Sequence, residues 1–274
     1  MKIIAIMPVH GREVLSMESV LRLKRQTHVR KVVVAGDSSL ESRIAEAAGA
    51  EFVSYPNEPL SLKFQAALYK ARELSPDAVL VSGSDNFLSK DWARILAGKI
   101  KSGADVAGIS RLWQCLAYPG KKIEMHEFAY RNQFADEPYG AGRLISRTIL
   151  EKCEWNIFRI PRNSGCDRMS YETLKAAGAR VAVPNEDERL QVLNVRLNPE
   201  NVTPLDALFK RAEMNDGIAL ITSLTGDQRE YSGFMNKYFP GLAGFLQDCV
   251  SGIFPGEKGP SSAKGFFRWF SGRA

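Results

Sequence analysis

Asp85 stands in "VLVSGSDNFLSKDW", Val79 to Trp92, where an apolar β-branched run gives way to Ser82, Gly83, Ser84, Asp85 and Asn86 before Phe87 and Leu88. Two chemistries use these residue types. A plain turn collects Gly, Ser, Asp and Asn, whose side chains bond their own backbone. A carboxylate at the C-terminal edge of a parallel sheet can instead meet a metal and a phosphate, because open α/β sheets bind ligands at that edge. No G-x-G-x-x-G follows the first apolar run and no P-loop lysine motif occurs, which counts against a dehydrogenase or an ATPase. Cys115, Cys153, Cys166 and Cys249 are scattered without a Cys-x-x-Cys pair, so zinc spacing is absent.

The elements that must position Asp85 are legible around it. Apolar runs predict strands over Ile3–Val9, Val29–Ala35, Glu51–Tyr55 and Asp77–Ser82, and helical spacing predicts helices over Glu13–Gln26, Leu40–Ala48 and Ser61–Leu74. This βαβαβαβ order predicts a Rossmann-like, mostly parallel sheet with helices on both faces. Periodicity weakens from Arg111 to Tyr139. "GAGRLISRTILEKC" then reads as a strand entering a helix, and Arg168–Ala177 as a helix before a strand at Arg180–Val183. Further helices are expected near Leu205–Met214 and Tyr231–Val250, and the chain closes on an aromatic-basic "GFFRWF" segment.

The chain has 274 residues, 45% hydrophobic and 25% charged, ordinary for a globular protein with a sizeable core. No apolar run approaches the roughly 18–20 residues of a membrane span. Thiols without bridging patterns and a start without signal-peptide character lead to the expectation of a soluble, cytoplasmic protein. A formal charge of +6 and a pI near 9.1 fit either a mildly basic soluble protein or one with an anionic partner.

In order and spacing, "IAIMPVHGR", "VVVAGDSS", "SGSDNFLSKDW" and "GCDRMSYETLKAAGARVAV" resemble the family 2-type glycosyltransferases with the A-type nucleotide-sugar fold, over roughly residues 3–185. The resemblance implies that Pro8, Val9, His10 and Arg12 form the turn at the nucleotide base, with His10 in place of an aromatic and Gly11 in place of Asn. It implies that Asp37 contacts the uracil or ribose. The family's Asp-x-Asp falls on Gly83, Ser84 and Asp85, so Asp85 would be the ligand of Mn²⁺ or Mg²⁺ and the first carboxylate is missing. Asp167 matches the catalytic base. A metal at Asp85 would neutralise the diphosphate as it leaves. Asp167 would take the acceptor's proton, and a single carboxylate across the sugar implies inversion. Each residue has a plainer role: turn residues for Asp85 and Asp37, a loop histidine for His10, a helix N-cap for Asp167.

"EPYGAGRLISRT" supplies a third cluster. Gly140 and Gly142 would let backbone approach the donor sugar, and Arg143 or Arg147 would reach phosphate; a tight turn with solvated arginines reads equally well. Arg143 to Arg168 holds six Arg/Lys against three Asp/Glu, which includes Arg159 and Arg162. With Trp113 and Tyr139 as stacking surfaces, this segment would suit a polyanionic acceptor; lid packing and solvated charge are the alternative. The expected function is transfer from a UDP-sugar to a hydroxyl, with 5-hydroxymethylpyrimidine in DNA as acceptor, as in viral DNA-modifying glycosyltransferases. A saccharide or lipid-linked glycan acceptor is the rival, as is a non-catalytic nucleic-acid-binding protein on this fold. A sugar nucleotidyltransferase would carry a Gly-rich, Arg-containing loop where this chain has "PVHGREVL". The expected organisation is a catalytic domain over 1–197, divided into a nucleotide-sugar half (1–110) and an acceptor half (111–197). A helical extension follows over 198–255, then a basic aromatic tail over 256–274 that touches a membrane surface or plugs the core.

Overall fold

Ile3–Pro8 (β1) is an apolar run with every residue buried, as expected of a strand covered on both faces. In the computed structural model, which describes residues 1–197, 205–225 and 228–251, alternate β1 side chains enter two different cores. Ile4 and Ile6 pack on one face; Ile3, Ala5 and Met7 pack on the other. In chain order follow Glu13–Arg25 (α1), Val29–Gly36 (β2), Ser39–Ala47 (α2), Glu51–Ser54 (β3), Leu60–Glu73 (α3), Ala78–Val81 (β4), Asn86–Leu88 (β5), Trp92–Lys101 (α4) and Val106–Ala107 (β6). Then come Arg111–Leu116 (β7), Glu124–Tyr130 (β8), Leu144–Ser146 (β9), Arg147–Lys152 (α5), Cys166–Ala176 (α6), Val181–Ala182 (β10) and Val192–Arg196 (β11).

The main sheet runs β3-β2-β1-β4-β9-β6-β10, parallel except for β9, which is antiparallel to both neighbours. Met17, Val20 and Leu23 of α1, Ile44 of α2 and Trp92 and Leu96 of α4 cover one face. Phe64 and Leu68 of α3, Ile149 of α5 and Met169 and Leu174 of α6 cover the other. Strands and helices of the first 82 residues therefore fall within a residue or two of the sequence expectation.

The later chain departs from it. The weakly periodic Arg111–Tyr139 stretch contains the antiparallel pair β7–β8. These strands join a second sheet ordered β12-β8-β7-β11-β5, in which β12 is Ile218–Thr225. The region expected to be a helical extension thus contributes a strand as well as Leu205–Glu213 (α7), Gln228–Tyr238 (α8) and Leu242–Val250 (α9). The single helix expected over Tyr231–Val250 is two, because Pro240 cannot donate a backbone bond and Gly241 turns at φ 77°. The halves 1–110 and 111–197 interleave: β5 belongs to the second sheet, while β9 and β10 complete the first. Met235, Phe239, Leu242, Phe245 and Leu246 cover one face of the second sheet, and Leu208 of α7 packs on Phe128 and Ile218. Among the described residues no helix is long and apolar enough to cross a membrane. The expected 256–274 tail lies outside the described residues.

Candidate active site

The C-terminal ends of β1 and β4 open into a cleft of about 520 Å³ that the second sheet closes from above. That volume suits a small-molecule or cofactor site. At the end of β1 the chain turns through Gly11 and Arg12, both left-handed, at φ 58° and 51°. For arginine this backbone is uncommon and has to be held by its surroundings. Lys63 of α3 donates to the Val9 carbonyl and to Asn57 Oδ1, and the Gly11 N–H donates to Glu41 Oε1 at 3.1 Å. Lys63 is buried, and burial pushes its pKa down while the Glu41 and Asp37 carboxylates oppose that shift. The Arg12 guanidinium reaches across the cleft floor and donates to Asp85 Oδ2 at 2.8 Å.

Asp85 lies in the turn between β4 and β5. The Asn86 N–H closes it on the Gly83 carbonyl at 3.3 Å, and Val195 of β11 donates to the Asp85 carbonyl at 2.9 Å. The residues "SGSDN" are thus both a turn and a cleft wall, since Ser82 through Asn86 all line it. Gly83 stands where the resemblance has its first acid. A Cβ there would lie 2.7 Å from Asn86 Oδ1, so a side chain would have to displace the Asn86 amide. Oδ1 of Asp85 accepts from Asn86 Nδ2 at 3.2 Å and Oδ2 from Arg12. Behind them stands Arg196 of β11, 4% exposed, donating from Nε to Gln114 Oε1 at 2.9 Å. Burial pulls the Arg196 pKa down and nearby Asp85 supports its charge. One carboxylate already bonded to a guanidinium, with a second guanidinium beside it, is a poor donor set for a divalent ion. The expected metal role of Asp85 does not fit this arrangement. Among the described residues the group able to hold a metal is His10, Asp37 and Glu41. Glu41 Oε2 there already accepts from the Asp37 and Ser38 N–H groups at 2.7 and 3.1 Å, and Oε1 from Gly11.

Asp167 lies in the first turn of α6, whose N-cap is Gly165 rather than Asp167. Its carboxyl lines the cleft against Gly140, where a Cβ would lie 2.0 Å from Oδ1. Burial pushes the Asp167 pKa up; the Arg143 charge and the Gly140 N–H pull it down, and Asp85 adds to the rise. Next to it Tyr139 stacks on Tyr130 with ring centroids 4.0 Å apart, and Arg211 of α7 lines the same end.

No protein-family model and no curated protein matches the chain. Solved structures are similar to it at low identity. S. aureus TarS superposes with a TM-score of 0.51 at 15% identity, over 72% of this chain and 37% of that one. The chain therefore spans well under half the length of TarS. Glucosyl-3-phosphoglycerate synthase from Mycobacterium tuberculosis gives a TM-score of 0.43 at 15% identity, over 78% of this chain and 77% of that one. The fold is A-type glycosyltransferase-like.

Within this fold Pro8, Val9, His10, Arg12, Ser84, Asp85, Tyr139 and Asp167 converge on one cleft. Asp37 does not line it; it sits exposed at the end of β2, accepting from Asn57 Nδ2 at 2.6 Å. Gly142 and Arg143 belong to the packing instead of the donor pocket. Gly142 (φ 80°) carries its carbonyl to Trp92 Nε1 at 2.8 Å, and a Cβ would lie 2.5 Å from that ring. Arg143 is 1% exposed and donates to the Asp167 and Pro138 carbonyls and to Ser170 Oγ, so it supports the Asp167 turn from beneath. Trp113 is core: strand alternation sends Leu112 and Gln114 to the cleft and Trp113 to the opposite face, where Nε1 bonds Gln191 Oε1 at 3.0 Å. Arg159 and Arg162 are exposed and outside the cleft lining. Sequence reasoning missed Asn57, Lys63, Arg196 and Arg211. A lysine on the buried face of α3, beside Phe64 and a turn before Ala67, was the available signal for Lys63.

Proposed function

We propose that this chain is a glycosyltransferase that moves a sugar from a nucleoside diphosphate sugar, a UDP-sugar by its resemblance, to a hydroxyl acceptor with inversion. The observation that carries this reading is that one cleft is lined both by a non-capping, upward-shifted carboxyl at Asp167 and by the cationic side chains of Arg12, Lys63 and Arg196. The nucleotide base sits on the Pro8–His10 turn and the diphosphate lies along the β4 edge. Asp167 accepts the hydroxyl proton as the acceptor oxygen attacks the anomeric carbon. The bond from that carbon to the β-phosphate oxygen breaks, and its electron pair leaves with the nucleoside diphosphate. The Tyr130–Tyr139 pair gives a flat face for the acceptor or donor ring.

The test is a donor panel of UDP-sugars offered to hydroxymethylated DNA, unmodified DNA and simple saccharides, with release of UDP and product configuration as readouts. Release of UDP with an inverted product is expected. Asp167→Asn should slow transfer by about 10²–10⁴-fold, the usual worth of a general base, with UDP affinity nearly unchanged. Incorporation into hydroxymethylated DNA alone would assign the DNA acceptor; saccharide products alone would remove it. Formation of pyrophosphate from UTP and a sugar 1-phosphate, with no transfer, would make the chain a nucleotidyltransferase.

A further inference from the structure

This inference rests on the nucleotide-sugar reading above and concerns what neutralises the departing diphosphate. We propose that Arg12 and Arg196 perform that task, with Lys63 at the nucleotide end, and that transfer needs no divalent cation. Asp85 is the sole acid of its turn, and its two oxygens accept from Arg12 and Asn86 at 2.8 and 3.2 Å. No second carboxylate stands at position 83, where glycine leaves room for the Asn86 amide; a Cβ there would lie 2.7 Å from Asn86 Oδ1 and would have to displace it. Placing a doubly charged ion on Asp85 would set it against the guanidiniums of Arg12 and Arg196, with one carboxylate to offset them.

Arg196 supplies the independent observation. It lines the cleft at 4% exposure, and its Nη1 is buried with no hydrogen-bond partner among the described residues. A buried guanidinium nitrogen left unbonded is costly, and an anion removes the cost. Arg12, Arg196 and Asp85 together carry a net charge of +1, which leaves this edge ready for an anion. Phosphate oxygens suit guanidinium donors in geometry as well as charge. In the reaction the bond between the anomeric carbon and the β-phosphate oxygen breaks toward oxygen. The charge that grows there falls on Arg12 and Arg196, and Asp85 holds Arg12 in place beforehand. Asp85 is therefore a positioning residue, not a metal ligand.

The experiment measures UDP binding by titration calorimetry, and transfer where an acceptor is found, in EDTA and again with excess Mn²⁺ or Mg²⁺. Expected are dissociation constants within about threefold of one another across the three buffers, and equal transfer rates. Arg12→Gln should weaken UDP by about tenfold in EDTA, the loss of one charge-assisted hydrogen bond. Arg12 is partly exposed, so this variant is expected to keep the wild-type melting temperature. Arg196→Lys, which keeps the charge and loses the fork, should fall between the two. UDP binding or transfer that appears only with the metal would overturn the inference and leave the glycosyltransferase reading standing. Unaltered UDP affinity in folded Arg12→Gln would overturn it too. No UDP binding in any buffer would remove the nucleotide-sugar reading itself.

Discussion

Asp167 has the residue type and position of a helix cap, yet Gly165 occupies that place and the Asp167 carboxyl turns toward the cleft against Gly140. Its raised pKa, caused by burial and opposed by Arg143, fixes two signs. As a base it works ionised, so the acid limb of kcat/KM is expected above the ordinary aspartate value of about 3.9. A carboxyl whose pKa rises on folding favours the folded state only while protonated. Its destabilising share sets in as pH rises past the unfolded value and is complete above the folded one. Asp167→Asn should then melt at or above the wild-type temperature at neutral pH while losing transfer and the acid limb; a clear drop in melting temperature would return Asp167 to a purely structural role. At this scale the place of Asp85, Asp167, Arg12 and the Pro8–His10 turn at the cleft was legible, because each follows an apolar run or opens a helix, while the metal role expected of Asp85 was not in the residues themselves. Lys63 and Arg196 were not. Their charge sits among buried neighbours, and a linear reading assigns such residues to solvent.

Elements decide what a residue sees, and two glycines two positions apart in one loop show it. Gly140 meets the carboxyl of Asp167; Gly142, on the other side of the chain, meets the indole of Trp92. A role for Gly142 at the donor sugar is therefore replaced by one in the seam between α4 and β9. Gly142→Ala places a methyl 2.5 Å from Trp92 Cζ2 in a left-handed backbone. It is expected to destabilise the protein by about 2 kcal/mol or more in urea unfolding, with UDP affinity per folded molecule retained. Loss of affinity without loss of stability would contradict this placement. Trp113 teaches the same lesson on a strand. Its neighbours Leu112 and Gln114 reach the cleft, but a one-residue step turns the indole into the core beneath α8. Without knowing that 111–116 is a strand, the alternation cannot be applied, and aromatic composition alone points the wrong way.

For the whole molecule, the parallel half was readable because its strands are buried on both faces and its helices repeat cleanly. The second sheet was not. Its strands carry charged and aromatic residues together, and their partners lie far along the chain. β5, which begins directly after Asp85, pairs with β11, Leu88 opposite Val192, so about a hundred residues separate the two. Nothing local announces such a pairing. It also has a kinetic meaning. The Asp85 turn is tied down by Val195, and Arg196 follows directly, so both sides of the diphosphate edge wait on that one long-range closure. Loops of this span close at an entropic cost before any contact rewards them. On dilution from denaturant, far-UV circular dichroism is expected to recover ahead of UDP binding, and simultaneous recovery would show that β5 and β11 meet early. A nascent or refolding chain would thus possess its nucleotide-facing half before it possesses a place for the phosphates, and competence arrives as a late, single event.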